Sequence, residues 1–342
     1  MKIRISLLLA ILVIVSACGS GTFNDSYLNS LRIKADELVA ADSVSFDDLI
    51  VQPSKLVIID DDWVLMSLRR SDNHLLFLNT KTGDYFPALR KGRGPGEIVQ
   101  GNSLQRIGEY GLYYDLDRAT CLRIDLKGSV RSHNILFDTL CVFPTSSRPV
   151  FLTQCGDGFI SGNITDGNVW YSYYDKSGEI LSSIKALEFD NLSSVPVNNI
   201  SFMISSMFTS SPDGDMVCVA NVTSPSLSFS KNENGKLTEY KRISFPPKGI
   251  VKGRMTPEHT SAFNGITSDK KFVYVIYSGN KVDGKQIPAD CCRHLIIYDW
   301  GGNVRKHYIL EKGISALSLM NGRIWGLSTY PNNQLFSYKI KL

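Results

Sequence analysis

Two kinds of turn recur along this chain, and their recurrence limits the fold more than any other feature of the sequence. The first kind precedes a strand-like run: Asp61-Asp62-Trp63, Tyr110-Gly111-Leu112, Asp157-Gly158-Phe159, Asp213-Gly214-Asp215, Asp269-Lys270-Lys271 and Asn321-Gly322-Arg323, spaced by 47 to 56 residues. The second kind follows a later run, at Asn79–Gly83, Asp125–Gly128, Asp175–Gly178, Asn232–Gly235 and Asp299–Gly302. Between the turns lie segments such as Lys271–Ser278 and His294–Asp299, rich in Val, Ile, Tyr and Phe, which suit a pleated and half-buried surface. Each unit reads strand, turn, strand, loop, strand, turn, strand, and four antiparallel strands per about 45 to 60 residues is the pattern of a propeller blade.

Six turns of the first kind therefore predict an all-β fold, a six-bladed β-propeller of four-stranded antiparallel blades. The last unit, Ile314–Leu342, has room for three strands only. A ring left open there would expose sheet edges, so an N-terminal strand within Ser30–Val39 is expected to complete the last blade. Leu31–Ala41 suits a short helix equally well. A large β-sandwich is the competing fold. A parallel α/β sheet is excluded, because helical spacing of apolar residues is confined to the extreme N-terminus and crossover helices have nowhere to form.

That N-terminus reads as a targeting segment. Lys2 and Arg4 precede an apolar run of 11 residues, Ile5–Val15, too short for a bilayer that needs about 20. The run ends in Val15-Ser16-Ala17-Cys18, which looks like a bacterial lipobox, so Cys18 is the expected site of acylation; an ordinary signal peptide cleaved near Ala17 is the alternative. Several acyl chains on one residue anchor a protein stably, and Gly19-Ser20-Gly21-Thr22 reads as a flexible tether. The expected organisation is thus a signal peptide over 1–17, lipidated cysteine and tether over 18–29, and one propeller domain over 30–342, giving a membrane partner through the lipid anchor.

Loss of Lys2 and Arg4 lowers the formal net charge from +4 to +2, and with no basic tract anywhere, nucleic acid is not an expected partner. Six cysteines follow Cys18: Cys121, Cys141, Cys155, Cys218, Cys291 and Cys292. Export permits disulfides, and the sequence does not choose among their pairings. Cys121 and Cys218 fall inside apolar strand patterns and read as buried thiols. Without a paired Cys-x-x-Cys spacing, a zinc site is not expected.

The most distinctive connection is Arg90-Lys91-Gly92-Arg93-Gly94-Pro95-Gly96-Glu97-Ile98, placed between the fourth strand of blade one and the first of blade two. Gly92, Gly94, Pro95 and Gly96 demand unusual backbone angles. No Walker pattern or following helix accompanies them, so a phosphate loop is not indicated. One reading is a rigid turn with Glu97 bonding local amides; the other is a loop that presents Arg90, Lys91 and Arg93 to an anionic group at the propeller's mouth. Gly92-Arg93-Gly94-Pro95-Gly96-Glu97 after a first blade is similar to the Gly-x-Gly-Pro-Gly-Glu signature of TolB-like six-bladed β-propeller lipoproteins. The resemblance covers essentially the whole mature chain, although only the glycine loop is specific. It implies a cell-envelope protein, with the outer membrane its expected location, and it brings no catalytic residues to carry over.

No catalytic constellation is visible, including the G-x-S-x-G elbow. The five histidines, His74, His133, His259, His294 and His307, show no ligand spacing, and Asp60-Asp61-Asp62 reads as a solvated turn, with calcium a minor alternative. The function expected is a non-catalytic binding or scaffold module, acting on a protein, peptide or glycan of the envelope through one propeller face, with no cofactor. The alternative is a lactonase-like hydrolase or lyase holding calcium in the central channel. Its candidate channel residues are Asn102, His259 and Asn264, with Glu97 the nearest acid.

Overall fold

A computed structural model describes residues 25–46, 49, 52–144, 149–165, 168–186, 205–246, 249–251, 254–281 and 291–342. The signal segment, Cys18 and the Gly19–Thr22 tether lie outside the described residues. The chain divides into two units, Met1–Arg32 and Ile33–Leu342. In the first, the short helix α1 (Ser26–Ser30) begins at Asp25, whose carboxylate accepts the amides of Tyr27 and Leu28 at 2.9 and 3.1 Å, the usual way of satisfying first-turn donors.

The second unit is a ring of six blades, each of four antiparallel strands. Blade one comprises β3 (Pro53–Ile58), β4 (Trp63–Leu68), β5 (Asn73–Asn79) and β6 (Tyr85–Arg90). Blade two comprises β7 (Gly101–Ile107), β8 (Tyr110–Asp115), β9 (Thr120–Asp125) and β10 (Phe137–Val142). Blade three comprises β11 (Phe151–Cys155), β12 (Gly158–Thr165), β13 (Asn168–Tyr174) and β14 (Ile180–Lys185). Blade four comprises β15 (Ser206–Ser210), β16 (Met216–Asn221), β17 (Leu227–Glu233) and β18 (Lys236–Ile243), followed by a small hairpin, β19 (Ile250–Val251) and β20 (Arg254–Met255). Blade five comprises β21 (Phe263–Ser268), β22 (Phe272–Tyr277), β23 (Cys292–Asp299) and β24 (Val304–Ile314). Blade six comprises β25 (Ala316–Met320), β26 (Arg323–Ser328) and β27 (Gln334–Lys339), completed by β2 (Asp42–Ser45), which runs antiparallel to β27 with Val44 opposite Leu335.

Closure by an N-terminal strand is thus present, through residues slightly later than Ser30–Val39. Within that earlier stretch, β1 (Asp36–Leu38) forms a strand of another kind, adding in parallel to the outer edge of β24 with Glu37 opposite Ile309. The innermost strands β3, β7, β11, β15, β21 and β25 each lie against the next, and β25 lies against β3.

Blades bury both faces against their neighbours, which explains why the middle strands are continuous apolar runs instead of alternating ones. From Val64 to Leu68 every residue of β4 is buried, whereas the outer strand β14 alternates exposed and half-buried positions. Val57, Leu65, Phe77 and Phe86 of blade one pack with Tyr113, Leu122 and Ile124 of blade two. Equivalent clusters join blades two and three, three and four, five and six, and six and one.

The recurrent turns work through Asx chemistry. Asp60 Oδ1 accepts the amides of Asp62 and Trp63 at 2.9 and 2.8 Å, and Asp269 Oδ1 accepts those of Lys271 and Phe272 at 2.7 and 2.8 Å. One turn differs from expectation. Asp125–Gly128 opens a helix, α2 (Leu126–Ser132), with Asp125 as N-cap accepting the Gly128 amide at 2.8 Å. Cys121, Cys141, Cys155 and Cys218 are buried free thiols, as expected for Cys121 and Cys218, and Cys121 lies directly opposite Cys141 on β10.

Because β2 is the last strand to complete the ring, Val44→Pro, which removes a ladder donor and forces a ring into the β27 pairing, should destabilise the chain by about 2–3 kcal/mol. A lower urea midpoint at unchanged m-value is the expected readout.

Candidate functional site

Antiparallel blades place the connections from second to third strand and from fourth strand to the next blade on one face of the ring, and the hairpin turns of the other two kinds on the opposite face. The glycine loop belongs to the first face, beside the connections at residues 69–72 and 116–119 of blades one and two. A central channel lined by all six innermost strands holds a cavity of about 540 Å³, which residues 90–98 do not line.

The channel wall is polar, and most of its polarity is engaged. Innermost strands do not pair with one another, so each leaves backbone groups on its channel edge that need partners. Side chains of the neighbouring strand supply them. Ser103 Oγ accepts the Leu152 amide at 3.0 Å, and Gln105 Oε1 accepts the Gln154 amide at 3.1 Å. Ser210 Oγ donates to the Gln154 carbonyl at 3.0 Å, Ser268 Oγ to the Ser210 carbonyl at 2.7 Å, and Ser318 Oγ accepts the Ile58 amide at 3.4 Å. Arg106 donates to the Ile58 and Ile59 carbonyls at 2.6 and 3.1 Å.

Asn102 and Asn264, expected near the channel, do line it. Both amide nitrogens are engaged: Asn102 donates to the Val150 carbonyl, and Asn264 to Ser261 Oγ at 2.9 Å. His259 is buried in the segment before β21 and does not line the channel. The wall carries two cations that the sequence reading did not single out, Lys55 and Arg106, and no carboxylate among the described lining residues. Lys55 is half-buried by its own surface yet enclosed by the channel. That burial, reinforced by the nearby charge of Arg69, pulls its ammonium down to about 8. The signal was a lysine inside the otherwise apolar first strand of blade one, Pro53-Ser54-Lys55-Leu56-Val57-Ile58.

The glycine loop is held from within and from outside. Gly94-Pro95-Gly96-Glu97 is a turn in which the Glu97 amide donates to the Gly94 carbonyl at 3.2 Å, with Gly96 at φ +75°. Proline second and glycine third is the type II arrangement. Glu97 turns its carboxylate inward to accept the Gly94 amide at 2.8 Å. A Cβ on Gly92 would lie 1.9 Å from Glu97 Oε2, so the loop folds tightly around that carboxylate. At the neck, the Ile98 amide donates to the Arg90 carbonyl at 2.9 Å and the Gly92 amide to the Ile98 carbonyl at 3.0 Å. Arg118, which nothing in the sequence linked to the loop, donates to the Glu97 and Arg93 carbonyls at 2.8 Å each. Buried His74 meets the Ile98 carbonyl at 3.0 Å through Nε2, and burial holds its pKa below the usual 6.5.

The cations of the loop have different fates. Lys91 Nζ donates to the Arg69 carbonyl at 2.9 Å, and Arg93 pairs loosely with Asp117 at 3.4 Å while its side chain stays 78% exposed. Arg90 is exposed and meets no partner among the described residues. With Arg69, Arg70 and Arg118, also exposed, they make a basic rim over blades one and two. Glu97 belongs to the loop's interior and not to that rim. On the opposite face, the acidic turn is internally balanced: Asp60 caps it, and Lys81 pairs with Asp62 at 2.5 Å.

His294 and His307, without any ligand spacing in sequence, meet across β23 and β24 at 3.0 Å between Nδ1 and Nε2. No group of three or more His, Cys, Asp or Glu suited to a metal occurs among the described residues.

The TolB-like 6-blade propeller-like family model matches residues 35–320. No curated protein matches the sequence significantly. Among solved structures, a member of the DUF4221 family from Bacteroides vulgatus superposes with a TM-score of 0.53 at 10% identity, over 89% of this chain and 98% of that one. An exported protein from Bacteroides fragilis gives 0.52 at 15% identity, over 91% and 98%. Hydrazine synthase of Kuenenia stuttgartiensis gives 0.51 at 11% identity, over 87% and 97%. At these identities the likeness is one of fold.

Two expectations follow from the loop and its surroundings. Gly96→Val should cost about 1–2 kcal/mol through its left-handed backbone, while Arg93→Ala should stay within about 0.5 kcal/mol of the parent; thermal melts of both variants check this. His74 and His307 both have folded-state pKa values lowered by burial. Above pH 6.5 neither state binds a proton at these sites and their contribution is intact. As pH falls below that value the unfolded chain protonates first, and the contribution is lost until pH has passed through the folded-state values. Urea midpoints should drop from about pH 8 to about pH 5, with a smaller drop in His74→Gln.

Proposed function

The chain belongs to the TolB-like 6-blade propeller family, and from that premise we propose that it is a non-catalytic binding or scaffold module of the cell envelope. In this reading it is tethered through Cys18 at the outer membrane, and the glycine-loop face meets a protein, peptide or glycan partner. The observation that carries the choice of face is the rim. Arg69, Arg70, Arg90, Arg93 and Arg118 are exposed together on one side of the ring, above a loop braced by Glu97 and Arg118. Rigid display of unspent positive charge suits an anionic partner and speeds its encounter.

The channel enzyme with calcium is less well supported. A calcium ion takes six to eight oxygen ligands, carboxylates prominent among them. Here the ion would sit beside the cations Lys55 and Arg106, with no carboxylate among the described lining residues. The sign of the wall's charge is wrong for it.

Two measurements test the proposal. Cys18→Ser should release the chain from membranes or leave an uncleaved precursor; continued membrane association of processed, acyl-free protein would show another anchor. Partner recovery from mild-detergent extracts should fall in an Arg90→Ala/Lys91→Ala/Arg93→Ala variant of unchanged stability, and should persist when Asp60, Asp61 and Asp62 are changed to Asn. Loss only in the acidic-turn variant would move the binding surface to the opposite face.

A further inference from the structure

We propose that the central channel is a binding site for a small organic carboxylate, anchored by the ammonium of Lys55. This site is separate from the rim: it takes a molecule small enough to enter the ring, whereas the rim addresses a macromolecule outside it. Its cavity of about 540 Å³ falls within the range of small-ligand sites.

The argument begins with what the wall has left over. Arg106 is committed, donating to the carbonyls of Ile58, Ile59 and Gly108 and lying 3.8 Å from Glu109. The serines, Gln105 and Asn102 are committed to the edges of neighbouring strands. Lys55 alone among the charged groups of the wall has no hydrogen bond or ion pair among the described residues, and the described lining offers it no acid. A cation enclosed in this way is unfavourable unless an anion joins it. Its lowered pKa, about 8, expresses the same deficit and still leaves it charged at pH 7.

Position adds the rest. β3 runs from the glycine-loop face toward the opposite face, so Lys55, third in the strand, lies in the half of the channel nearest the mouth. Arg69, at the end of β4 on the same face, contributes a second positive charge there, which draws anions toward the opening. Below Lys55 the wall mixes apolar positions, Leu104, Ile266 and Leu319, with polar ones such as Gln105, Thr209 and Ser318. A carboxylate at the ammonium with a small body pointing down this mixed wall fits the cavity, and the ion pair gains strength from being removed from water.

Hexanoate is a suitable probe, with hexanamide as its uncharged counterpart, and titration calorimetry with thermal melts as readouts. The full chain should bind hexanoate in the millimolar range or tighter and gain thermal stability from it, and hexanamide should bind at least about tenfold more weakly. Lys55→Met keeps the length of the side chain and removes the enclosed charge, so it should fold while losing at least about tenfold in hexanoate affinity; Lys55→Arg should retain binding. Arg90→Ala/Arg93→Ala should leave hexanoate binding intact, which separates this site from the rim. Equal binding of hexanoate and hexanamide by the wild-type chain would overturn the proposal without need of any variant. So would full hexanoate binding by Lys55→Met, or no binding by the wild-type chain at about 10 mM.

Discussion

Six innermost strands meet around the axis without pairing, and the rest of the propeller depends on how their free edges are satisfied. A buried backbone donor or acceptor left unpaired costs more than a well-made bond returns. Side chains of the neighbouring strand reach these edges. Ser103 and Gln105 serve the edge of β11, Ser210 and Ser268 the carbonyls of β11 and β15, and Ser318 and Arg106 the end of β3. Each contact is worth about 1 kcal/mol at most in isolation. Together they fix the spacing between blades, and the apolar clusters that fill the wedges behind them can then pack at a single distance.

This stitching changes how a polar channel is to be read. Serines, glutamines and asparagines converging on an axis look like ligand donors when only their positions are known. Here they are consumed by the ring itself, Asn102 and Asn264 included. What can act on a visitor is the residue the ring does not use. In the wall that residue is Lys55; on the glycine-loop face it is Arg90, at the end of the outer strand β6, with Arg93 only loosely engaged. Chemistry therefore separates from architecture residue by residue, within the same strands.

The parts of the fold legible in the sequence were those with local causes. An Asp or Asn accepting amides two and three residues ahead needs nothing from the rest of the chain, so Asp60, Asp269 and Asn79 marked their turns reliably, and counting them gave the blades. Gly94-Pro95-Gly96 marked a rigid turn on the same grounds, and the structure makes it type II. Features set by distant geometry stayed hidden. Asp36–Leu38 and Asp42–Ser45 are both short, polar and strand-forming; only the positions of β24 and β27 decide that the first becomes an outer parallel strand and the second closes the ring. Leu126–Ser132 resembled a turn because Gly128 dominates the eye, although Asp125 is an N-cap as well as a turn residue. Arg118 and Lys55 were missed for a further reason. One braces a loop more than twenty residues away, and the other is significant only because its neighbours in space are engaged.

The two faces of the ring differ for a reason already present in the connectivity. Apart from the helical connection of blade two, turns from first to second and from third to fourth strands are short and spend their polar groups on themselves, as the Asp60 turn does with its own amides and Lys81 does with Asp62. On the other face some connections are as short, such as residues 69–72, 116–119 and 315, but five are longer, at 91–100, 143–150, 186–205, 244–262 and 278–291, long enough to vary without disturbing any strand pairing. Loops of that kind, carried on a rigid scaffold, are where binding residues concentrate. The glycine loop is the shortest way to make one such connection stiff. A type II turn, an inward carboxylate and an arginine clasp remove its freedom; in the binding role proposed above, less ordering entropy would then oppose association. In that role rigidity in this loop and unspent charge on its surface would serve one end: with the loop's interior groups saturated, its exposed cations would be held in place for a partner.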